Sequence, residues 1–379
     1  MLPHEKTKEH ELYFDKFNSK IFKNKSNEHS VFNSILKKNN KVANGNNSIN
    51  NLTKNRNNDI CSEEKFKKYE WRFTRKDIIW RNVVAITLFH LMSLYAYITF
   101  PYFQRLKTLL WGWMVSVIAS FGVGAGVHRL WTHRSYKAKT PLRIILLCCY
   151  STAGMNSIFN WVRDHRVHHK FSETDADPHN STRGFFFSHV GWLMLRKHSE
   201  VLRKGRQIDM NDILNDPVVA FGEKYFIPLK IIFCFIGPVI IPVYVWNEDW
   251  YYAITTQILM RYAFVLNATW CVNSVAHMFG WRPYDKMIAP TENLLISYVT
   301  GGEGWHNYHH AFPWDYKASE MGHPMIDLST YFIHTFALIG WAYDMKQASP
   351  ELIKSMVMKK GDGTHSEFSA PSMKNVAVK

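Results

Sequence analysis

Four apolar runs limit the possible folds of this chain more than any other feature, because a helix of about 20 apolar residues crosses the hydrocarbon core of a bilayer. They occupy 82–100, 109–127, 226–246 and 250–272. Short polar turns join the first run to the second and the third to the fourth. The sequence therefore predicts an all-α integral membrane protein with four transmembrane helices in two hairpins. A fifth run, 142–161, is apolar enough to compete with them.

The polar sequence lies mainly at the two ends. Residues 1–68 are rich in Asn and Lys and contain no secretory signal, so they predict a disordered cytosolic tail. We assign 69–347 to a membrane domain and 348–379 to a second cytosolic tail. The 46 Lys and Arg residues exceed the 31 Asp and Glu residues, which suits an anionic partner. The apolar runs favour the lipid bilayer as that partner, and we expect no nucleic acid.

Nine of the 19 histidines fall into four clusters, each just beyond the end of an apolar segment. Neutral imidazole is a preferred ligand of Fe, Cu, Ni and Zn, so this number in a membrane chain indicates a polynuclear metal site. Asn273, four residues before the histidine of the third cluster, is a further candidate. The nine candidate histidines are His128, His133, His165, His168, His169, His277, His306, His309 and His310.

A shared metal site constrains the topology. If 142–161 crossed the bilayer, the first two clusters would lie on opposite sides, whereas four spans bring all clusters to one side. That side holds 15 Lys and Arg between 128 and 225, and the two short turns hold only Arg105 and Lys107. The positive-inside rule makes the clusters cytosolic. We therefore interpret 142–161 as an interfacial or buried helix and expect a cytosolic helical domain to cap the spans.

Spacing within the clusters indicates how the side chains are directed. Helical residues at i, i+3 and i+4 share a face, so both His-x-x-His-His triplets can direct three imidazoles inward, and Asn273 shares a face with His277. His128 and His133 are five apart, roughly 140° around an ideal helix. We expect them to serve different metals or to lie where the second span frays. Ten candidates suggest two metals with about five ligands each, leaving room for water or dioxygen.

Other conspicuous residues have ordinary interpretations. A lone imidazole near a membrane end is more often an interfacial or core residue than a ligand, and we apply this to His90, His179, His189 and His198. The glycines of 122–126 lie inside an apolar run with no strand before them. They predict close helix packing and not a dinucleotide-binding loop.

Several motifs together resemble one family. They are His128-Arg-Leu-Trp-Thr-His133, Arg163-Asp-His-Arg-Val-His-His-Lys170, Asp177-Pro-His-Asn180, Gly184-Phe-Phe-Phe-Ser-His-Val-Gly-Trp192 and Gly302-Glu-Gly-Trp-His-Asn-Tyr-His-His310. This set resembles the animal acyl-CoA Δ9 desaturases, the stearoyl-CoA desaturase family. The resemblance runs from Trp71 to Gln347 and returns at Lys360-Gly-Asp-Gly-Thr-His365.

The resemblance implies two iron ions and the O₂-dependent insertion of a cis double bond, at the Δ9 position, into a saturated fatty acyl-CoA. An unactivated methylene has no acidic proton for a base to remove, so hydrogen-atom abstraction at a metal centre suits this chemistry. The two electrons would come from a separate cytochrome b5 with its NADH-dependent reductase, since the chain lacks a His-Pro-Gly-Gly haem motif. The implied location is the endoplasmic reticulum membrane, with both termini cytosolic.

Substrate contacts are also implied by the resemblance, residue by residue. The matching positions are Asn82, Asn156, Trp161, Arg163, Asp164, Arg196, Lys197, Thr269 and Trp270. Trp161 and Thr269 match positions that hold the bent acyl chain beside the irons. A stripe of small residues containing Ser116 matches the closed end of the acyl tunnel, although close helix packing explains such a stripe equally well.

Three alternatives stand beside this interpretation. A related membrane di-iron hydroxylase would share the histidine clusters and the topology but would yield an alcohol instead of an alkene. A desaturase of shifted regiochemistry would share every metal ligand. A metal transporter would place its ligands near the midplane of broken helices, whereas these clusters lie at or beyond the ends of the apolar runs.

Overall fold

The computed structural model describes residues 75–320 and 327–368, which are almost entirely helical. The tail expected over 1–68 lies outside the described residues. One short antiparallel pair, β1 (Lys137–Ala138) with β2 (Ala342–Tyr343), accompanies the helices. The helices are α1 (Trp80–Thr99), α2 (Leu106–Thr132), α3 (Thr140–Ala153), α4 (Ile158–Phe171), α5 (Ser199–Gly205), α6 (Asn211–Leu214), α7 (Pro217–Lys224), α8 (Phe226–Trp246), α9 (250–278), α10 (Leu294–Thr300), α11 (His306–Ala311), α12 (Leu328–Leu338) and α13 (Pro350–Lys360).

Three of the described helices, α1, α2 and α8, are long and apolar enough to cross a membrane. They confirm the first three predicted runs, with α2 extending beyond 127 to Thr132. The fourth predicted run lies in α9, which is unbroken from 250 to 278. α9 is not among these apolar helices. It carries the buried polar side chains of Gln257 and Arg261, which lower its apolar character.

The fifth apolar run folds as two helices and a sharp bend. α3 ends at Gly154, whose φ of 65° is left-handed, and the axes of α3 and α4 differ by 84°. α3 has 14 residues, a rise of about 21 Å, which is less than the ~30 Å hydrocarbon core. α3 and α4 form a further candidate span only when taken together as one bent helix.

The second half of α2 is a π-helix, Gly122–Thr132. Its glycines lie against neighbouring elements. A Cβ atom on Gly122 would lie 2.1 Å from the backbone nitrogen of Tyr150, and one on Gly124 would lie 2.2 Å from Ser329 Oγ. Both distances are far below van der Waals contact, so α3 and α12 can approach α2 only because these residues lack side chains. This confirms the predicted close helix packing.

The two hairpins meet at their polar turns. Arg105 Nη1 lies 3.0 Å from Glu248 Oε1, and the buried Thr108 hydroxyl donates to the same carboxylate. α1 also packs against α9, where Ser93 Oγ and Tyr97 Oη donate to backbone carbonyls of α9 at 3.2 and 2.7 Å. These contacts place the 101–105 and 247–249 turns together, at the ends of α2 and α9 remote from the histidine clusters.

Helices α10 and α11 pack against α9, and α12 packs against α2. α13 lies within the stretch expected to be a C-terminal tail. Its Ile353 and Val357 are buried in a small core with Tyr284 and Phe312. The chain before α13 also pairs with the loop after α2, since Lys346 N donates to Ser135 O at 2.8 Å.

Candidate metal centre

The nine predicted histidines converge in two groups, within each of which the potential ligand atoms lie within 4.8 Å of one another. The residues of the five-histidine group lie in α2, at the position just after α2, in α4 and in α11. The four-histidine group draws on α4, α9 and α11. The first consists of His128, His133, His165, His169 and His309, and the second of His168, His277, His306 and His310.

Each His-x-x-His-His triplet contributes to both groups. In an α-helix, the i+4 side chain lies about 40° to one side of residue i, and the i+3 side chain about 60° to the other. In α4, His165 and His169 accordingly join the five-histidine group, while His168 joins the other. α11 is the counterpart, because His306 and His310 enter the four-histidine group and His309 enters the five-histidine group. Two short helices thus hold the two groups side by side.

His128 and His133 belong to one group, so the alternative in which they serve different metals is wrong, whereas His133 does lie at the end of the second span, just after Thr132. The reason is the π-helix in α2. His133 N donates to His128 O at 3.1 Å, an i+5 hydrogen bond, so residues five apart stand one above the other. The ring centroids of the two histidines are 4.9 Å apart. The 140° estimate assumed an α-helix, which this segment is not.

The spacing of the ring nitrogens fits a metal ion. The Nε2 atoms of His128 and His309 are 2.9 Å apart, and those of His277 and His306 are 3.0 Å apart. A metal–nitrogen distance of about 2.1 Å gives about 3.0 Å between nitrogens at right angles, and about 3.4 Å in a tetrahedron. The observed spacing is therefore close to that expected for rings that share one metal ion.

The hydrogen bonds of these rings also favour a bound metal ion. His128 and His277 each donate Nδ1–H to a carboxylate, so their Nε2 atoms carry lone pairs. A lone pair directed at other buried imidazole nitrogens is stabilised by a cation between them. The Nε2 atom of His133 is also buried without a hydrogen-bond partner among the described residues. The donor set is thus complete for a metal and poorly satisfied without one.

Three carboxylates that the cluster spacings did not reveal orient these rings. Glu303 Oε2 accepts from His128 Nδ1 at 2.9 Å, and Glu173 Oε1 accepts from His277 Nδ1 at 2.8 Å. Asp177 Oδ1 accepts from His168 Nδ1 at 2.9 Å. Such contacts fix the tautomer and strengthen the ligand. Glu173 has a left-handed φ of 57°, so the loop after α4 adopts a strained conformation that holds its carboxylate at His277.

Arg129 connects this layer of carboxylates to the surrounding helices. It is almost fully buried, and its Nη2 lies 2.9 Å from Glu303 Oε1 and 3.0 Å from Asp327 Oδ1. Burial alone would raise the pKa of Glu303, but Arg129 and His128 together hold that pKa well below its usual range. Glu303 is therefore ionised while it holds His128.

Most of these imidazoles are held in the neutral form that binds metals, with His168 as an exception: burial alone would lower its pKa, but the neighbouring Asp177 raises the pKa above the ordinary histidine value. Burial, and then the neighbouring imidazoles, lower the pKa values of His306, His309 and His310 well below the ordinary histidine value. A neutral ring has a free lone pair at neutral pH, whereas a protonated ring has none. His133 shows the same lowering for the same first cause.

Asn273 and His179 are not among the nine histidines of the two groups. Asn273 is half-buried on α9, one helical turn before His277, as its spacing predicts. His179, which received an ordinary interpretation, lies with His168 and Asp177 in a third compact group. Burial lowers the pKa of His179 to about 4. Because Asp177 Oδ1 already accepts from His168 Nδ1, hydrogen bonding accounts for this third group without a metal.

Eight of the nine predicted substrate residues fall into three sets. Arg163 and Lys197 both pair with the buried Asp164, with Arg163 Nη2 at 3.0 Å from Asp164 Oδ1. Asn82 Nδ2 donates to Leu193 O at 2.8 Å, which ties α1 to the chain just before Arg196.

The third set consists of Trp161 and of two residues on α9. Trp161 stacks on the ligand candidate His165 with ring centroids 4.7 Å apart. Trp270 and Thr269 lie on α9, and Trp270 is buried two helical turns before His277. Asn156 is separate from all of these, exposed in the bend between α3 and α4.

A bundle of apolar helices that carries two histidine groups able to hold metal ions is typical of membrane metalloproteins, and the comparisons identify the family. Residues 105–324 match the family model described as fatty acid desaturase. An acyl-CoA Delta-9 desaturase of Acheta domesticus is 53% identical over 292 residues, which cover 77% of this chain and 81% of that protein. Stearoyl-CoA desaturase 5 of Bos taurus is 50% identical over 290 residues, which cover 76% of this chain and 86% of that protein.

A relative with a different name is equally similar. An acyl-CoA Delta(11) desaturase of Spodoptera littoralis is 50% identical over 290 residues, which cover 76% of this chain and 85% of that protein. The chain belongs to the fatty acid desaturase family. It is an oxidoreductase, and the resemblance stated from its motifs is confirmed.

Proposed function

We propose that this protein is an acyl-CoA desaturase that inserts a cis double bond into a saturated fatty acyl-CoA, using dioxygen and two electrons. The observation that carries the proposal is the pair of adjoining histidine groups, with nitrogen spacings near 3.0 Å. Two iron ions held by these nine histidines, with Asn273 near the second group, would supply the activation of dioxygen that removes hydrogen atoms from adjacent methylene groups.

The protein's own residues would orient the ligands and exclude water. Glu303, Glu173 and Asp177 hold the imidazoles in one tautomer and one orientation. The ring of Trp161 offers a flat apolar surface next to His165, and the buried ring of Trp270 lies two helical turns before His277 on α9. An acyl chain in contact with these rings would present its methylene groups to the centre in a defined register.

The CoA end of the substrate would bind at the charged residues near the start of α1 and along α4. Arg163, Arg196 and Lys197 offer cations to the phosphates and to the ribose of CoA, while Asp164 holds two of these side chains in place. The exposed Asn156 and the half-buried Asn82 add amide donors. Electrons would be supplied by a cytochrome b5 with its NADH-dependent reductase.

Expression in a host without its own Δ9 desaturase tests the proposal. The lipids are analysed by mass spectrometry that locates double bonds. We expect new monounsaturated acyl chains, with the double bond at the Δ9 position. A bond at Δ11 would identify the regiochemistry named for the Spodoptera littoralis relative. Hydroxylated chains without alkenes would contradict the proposal in favour of a hydroxylase.

The topology that we propose has four spans, with α9 as the fourth and both termini cytosolic, in the endoplasmic reticulum membrane. The buried polar side chains of α9 then face the helix bundle and not lipid. α3 and α4 remain on the cytosolic side, because α3 is too short to cross alone.

A cysteine near Arg203, and tags at both termini, are expected to react with a membrane-impermeant reagent from the cytosolic side. A cysteine at Asn247, in the turn between α8 and α9, is expected to be protected. Labelling of sealed microsomes, before and after detergent, measures both sites. Protection at Arg203 would show that α3 and α4 cross the membrane together, and the four-span topology would then be wrong.

A change of chain-length preference is expected from Ser116→Tyr. Ser116 is buried on α2 and its hydroxyl donates to Gly112 O at 2.9 Å. If the stripe of small residues that contains Ser116 borders the closed end of the acyl tunnel, a bulkier side chain at this position shortens the tunnel. Each methylene that loses its burial costs ~0.8 kcal/mol, so the product ratio should move toward shorter chains by roughly fourfold per methylene. Competition between C16, C18 and C20 acyl-CoA measures it.

The matched control for this prediction is Met114→Tyr, which adds an aromatic ring to an exposed position of the same helix. Helix packing is the competing explanation, and it already applies to two neighbours of Ser116. A Cβ atom on Gly112 would lie 3.1 Å from Thr256 Cγ2, and one on Gly124 would meet Glu303. An unchanged product ratio in active Ser116→Tyr protein would assign Ser116 to packing as well.

A further inference from the structure

Two histidines outside the metal centre belong to one hydrogen-bonded chain around Trp270. Asn267 of α9 is its central member. Its Nδ2 lies 3.1 Å from His90 Nε2 of α1, and its Oδ1 lies 3.1 Å from His189 Nε2. His189 Nδ1 lies 3.0 Å from Ser274 Oγ, again on α9. Side chains from three separate segments thus form a relay, which we define as His90, Asn267, His189 and Ser274.

The donors and acceptors of the relay are compatible with neutral rings throughout. His90 Nδ1 donates to Ile86 O at 2.8 Å, so His90 Nε2 accepts from the Asn267 amide. The Asn267 oxygen then accepts from His189 Nε2–H. His189 Nδ1 accepts from the Ser274 hydroxyl when that hydroxyl turns away from Trp270 O, to which it otherwise donates at 2.9 Å. Burial lowers the pKa of His189, which favours the neutral ring that this pattern requires.

The relay surrounds the indole of Trp270 on two sides. The His90 ring stacks over Trp270 with ring centroids 5.9 Å apart and planes 26° apart. The His189 ring meets the indole edge-on at 5.8 Å. Trp270 is 7% exposed and lies on the face of α9 that also carries Asn273 and His277, at helical spacings of three and seven residues.

The relay also fixes the segment that carries the charged substrate residues. His189 lies in the π-helical turn Phe187–Gly191, which leads into Trp192–Met194 and then to Arg196. The far end of this segment is tied to the start of α1, where Ile79 N donates to Met194 O at 2.8 Å. One hydrogen-bonded chain therefore connects the proposed CoA-binding segment to Trp270, which lies two helical turns before the candidate ligand His277 on α9.

Apolar side chains would hold α1 against α9 at a lower cost in free energy than the polar side chains of the relay. Polar groups at membrane depth must be paired internally, and they are typically retained where they serve a function. His90 is in α1 and Asn267 is in the middle of α9, so both lie within membrane-length helices. Their pairing orients one particular ring, which packing by leucines would leave free to change rotamer.

We propose that His90 and His189 are positioning residues that hold the Trp270 indole in one orientation, and that this orientation sets the register of the acyl chain at the metal centre. The proposal rests on the proposed function, because it takes the acyl chain to pass along Trp270. The rings of His90 and His189 contact the indole, and among the described residues neither ring contacts any of the nine candidate ligand histidines. They should therefore control which carbon atoms react and which chain lengths are accepted, without controlling metal content.

The test uses the full-length chain in the desaturase-deficient host, with His90→Leu, His189→Leu and Asn267→Leu as variants. Three quantities are measured: iron per purified chain, the ratio of double-bond positions, and the ratio of C16 to C18 products. We expect iron content to stay at the wild-type level while at least one product ratio changes threefold or more. His90→Gln, which can still accept from Asn267, should restore part of the wild-type ratio. His334→Leu, at an exposed histidine of α12, is the control.

The outcomes separate this inference from the function on which it rests. Wild-type protein that makes no unsaturated product would contradict the proposed function. Active wild type, with variants whose product ratios are unchanged and whose yield follows the amount of folded protein, would show that the relay only stabilises the fold. Loss of iron in the variants would assign the relay to the metal centre and would also overturn the inference.

The double variant His90→Leu/His189→Leu gives a second, independent result. If both rings act through the one indole, their effects on the product ratio should be non-additive, because the first substitution already frees Trp270. Strictly additive effects would mean that the two histidines act on separate features, and the shared orientation of Trp270 would then be wrong.

Discussion

His309→Ala is expected to abolish turnover and to strip the protein of most of its metal. The Nε2 atom of His309 lies 2.9 Å from that of His128 and 3.0 Å from that of His169, so this ring is central to the five-histidine group. Loss of a residue that merely orients a ligand typically costs 10- to 100-fold, and loss of the ligand itself should cost more than roughly 100-fold. Iron per chain and unsaturated product per chain measure the two effects.

The same result is expected at other ligand positions, and a matched histidine should behave differently. His128, His165, His168, His277 and His306 should each be essential. Asn273→Ala should reduce activity less completely, since a water molecule can bridge the gap. His334→Ala removes an exposed imidazole whose Nε2 atom lies 2.8 Å from the Tyr316 hydroxyl, and should keep activity. Near-normal turnover and iron content in two of the ligand variants would refute the di-iron assignment.

The long-range convergence of the histidines could be predicted because it depends on local periodicity and on membrane-length segments. The triplets of α4 and α11 direct their rings as ideal helices require, and three of four runs were located within a few residues. What periodicity could not supply was the type of helix. The π-helical part of α2 packs closely against α3 and α12 at Gly122 and Gly124. The spacing of His128 and His133 in the sequence does not predict packing of this kind.

The carboxylates escaped notice for a different reason. Glu173, Asp177 and Glu303 lie in loops. Two of them hold rings that are distant in sequence, since Glu303 holds His128 and Glu173 holds His277. Their roles follow from tertiary contact, for which a single sequence gives no signal. A signal did exist for Asp177, because the motif Asp177-Pro-His-Asn180 belonged to the resemblance, although no role was attached to it.

His90 and His189 illustrate the limit of judging each histidine alone. Neither lies near another histidine in sequence, so an interfacial or core role was the reasonable interpretation. Their connection depends on Asn267, a single polar residue in an otherwise ordinary stretch of α9. An ionisable residue inside a membrane-length run was the available clue, since such residues are costly there.

Glu303→Gln is expected to weaken metal binding by roughly 10- to 100-fold, because an amide cannot serve both donors that the carboxylate now serves. His128 Nδ1 and Arg129 Nη2 both point at Glu303, each at 2.9 Å. The amide oxygen of Gln can accept from one of them, but its NH₂ group then faces the other donor. Arg129 retains Asp327, at 3.0 Å, so the fold should survive. Iron content after competition with a chelator measures the loss.

The pH dependence of stability should distinguish the charge of Glu303 from its shape. Because the pKa of Glu303 is depressed in the folded protein, the unfolded chain binds the proton more tightly, and stability rises with pH in acid. The contribution is complete above the ordinary carboxyl pKa of about 4.3 and is lost as pH falls through the lower folded-state value. The stability difference between wild type and Glu303→Gln should therefore be largest near neutral pH and should shrink in acid.

Thermal unfolding midpoints at several pH values measure this stability difference. Glu200→Gln is the control, since Glu200 pairs with Arg203 at the surface. A difference that stays constant with pH would show that Glu303 acts by packing and not as an ionised partner of His128 and Arg129.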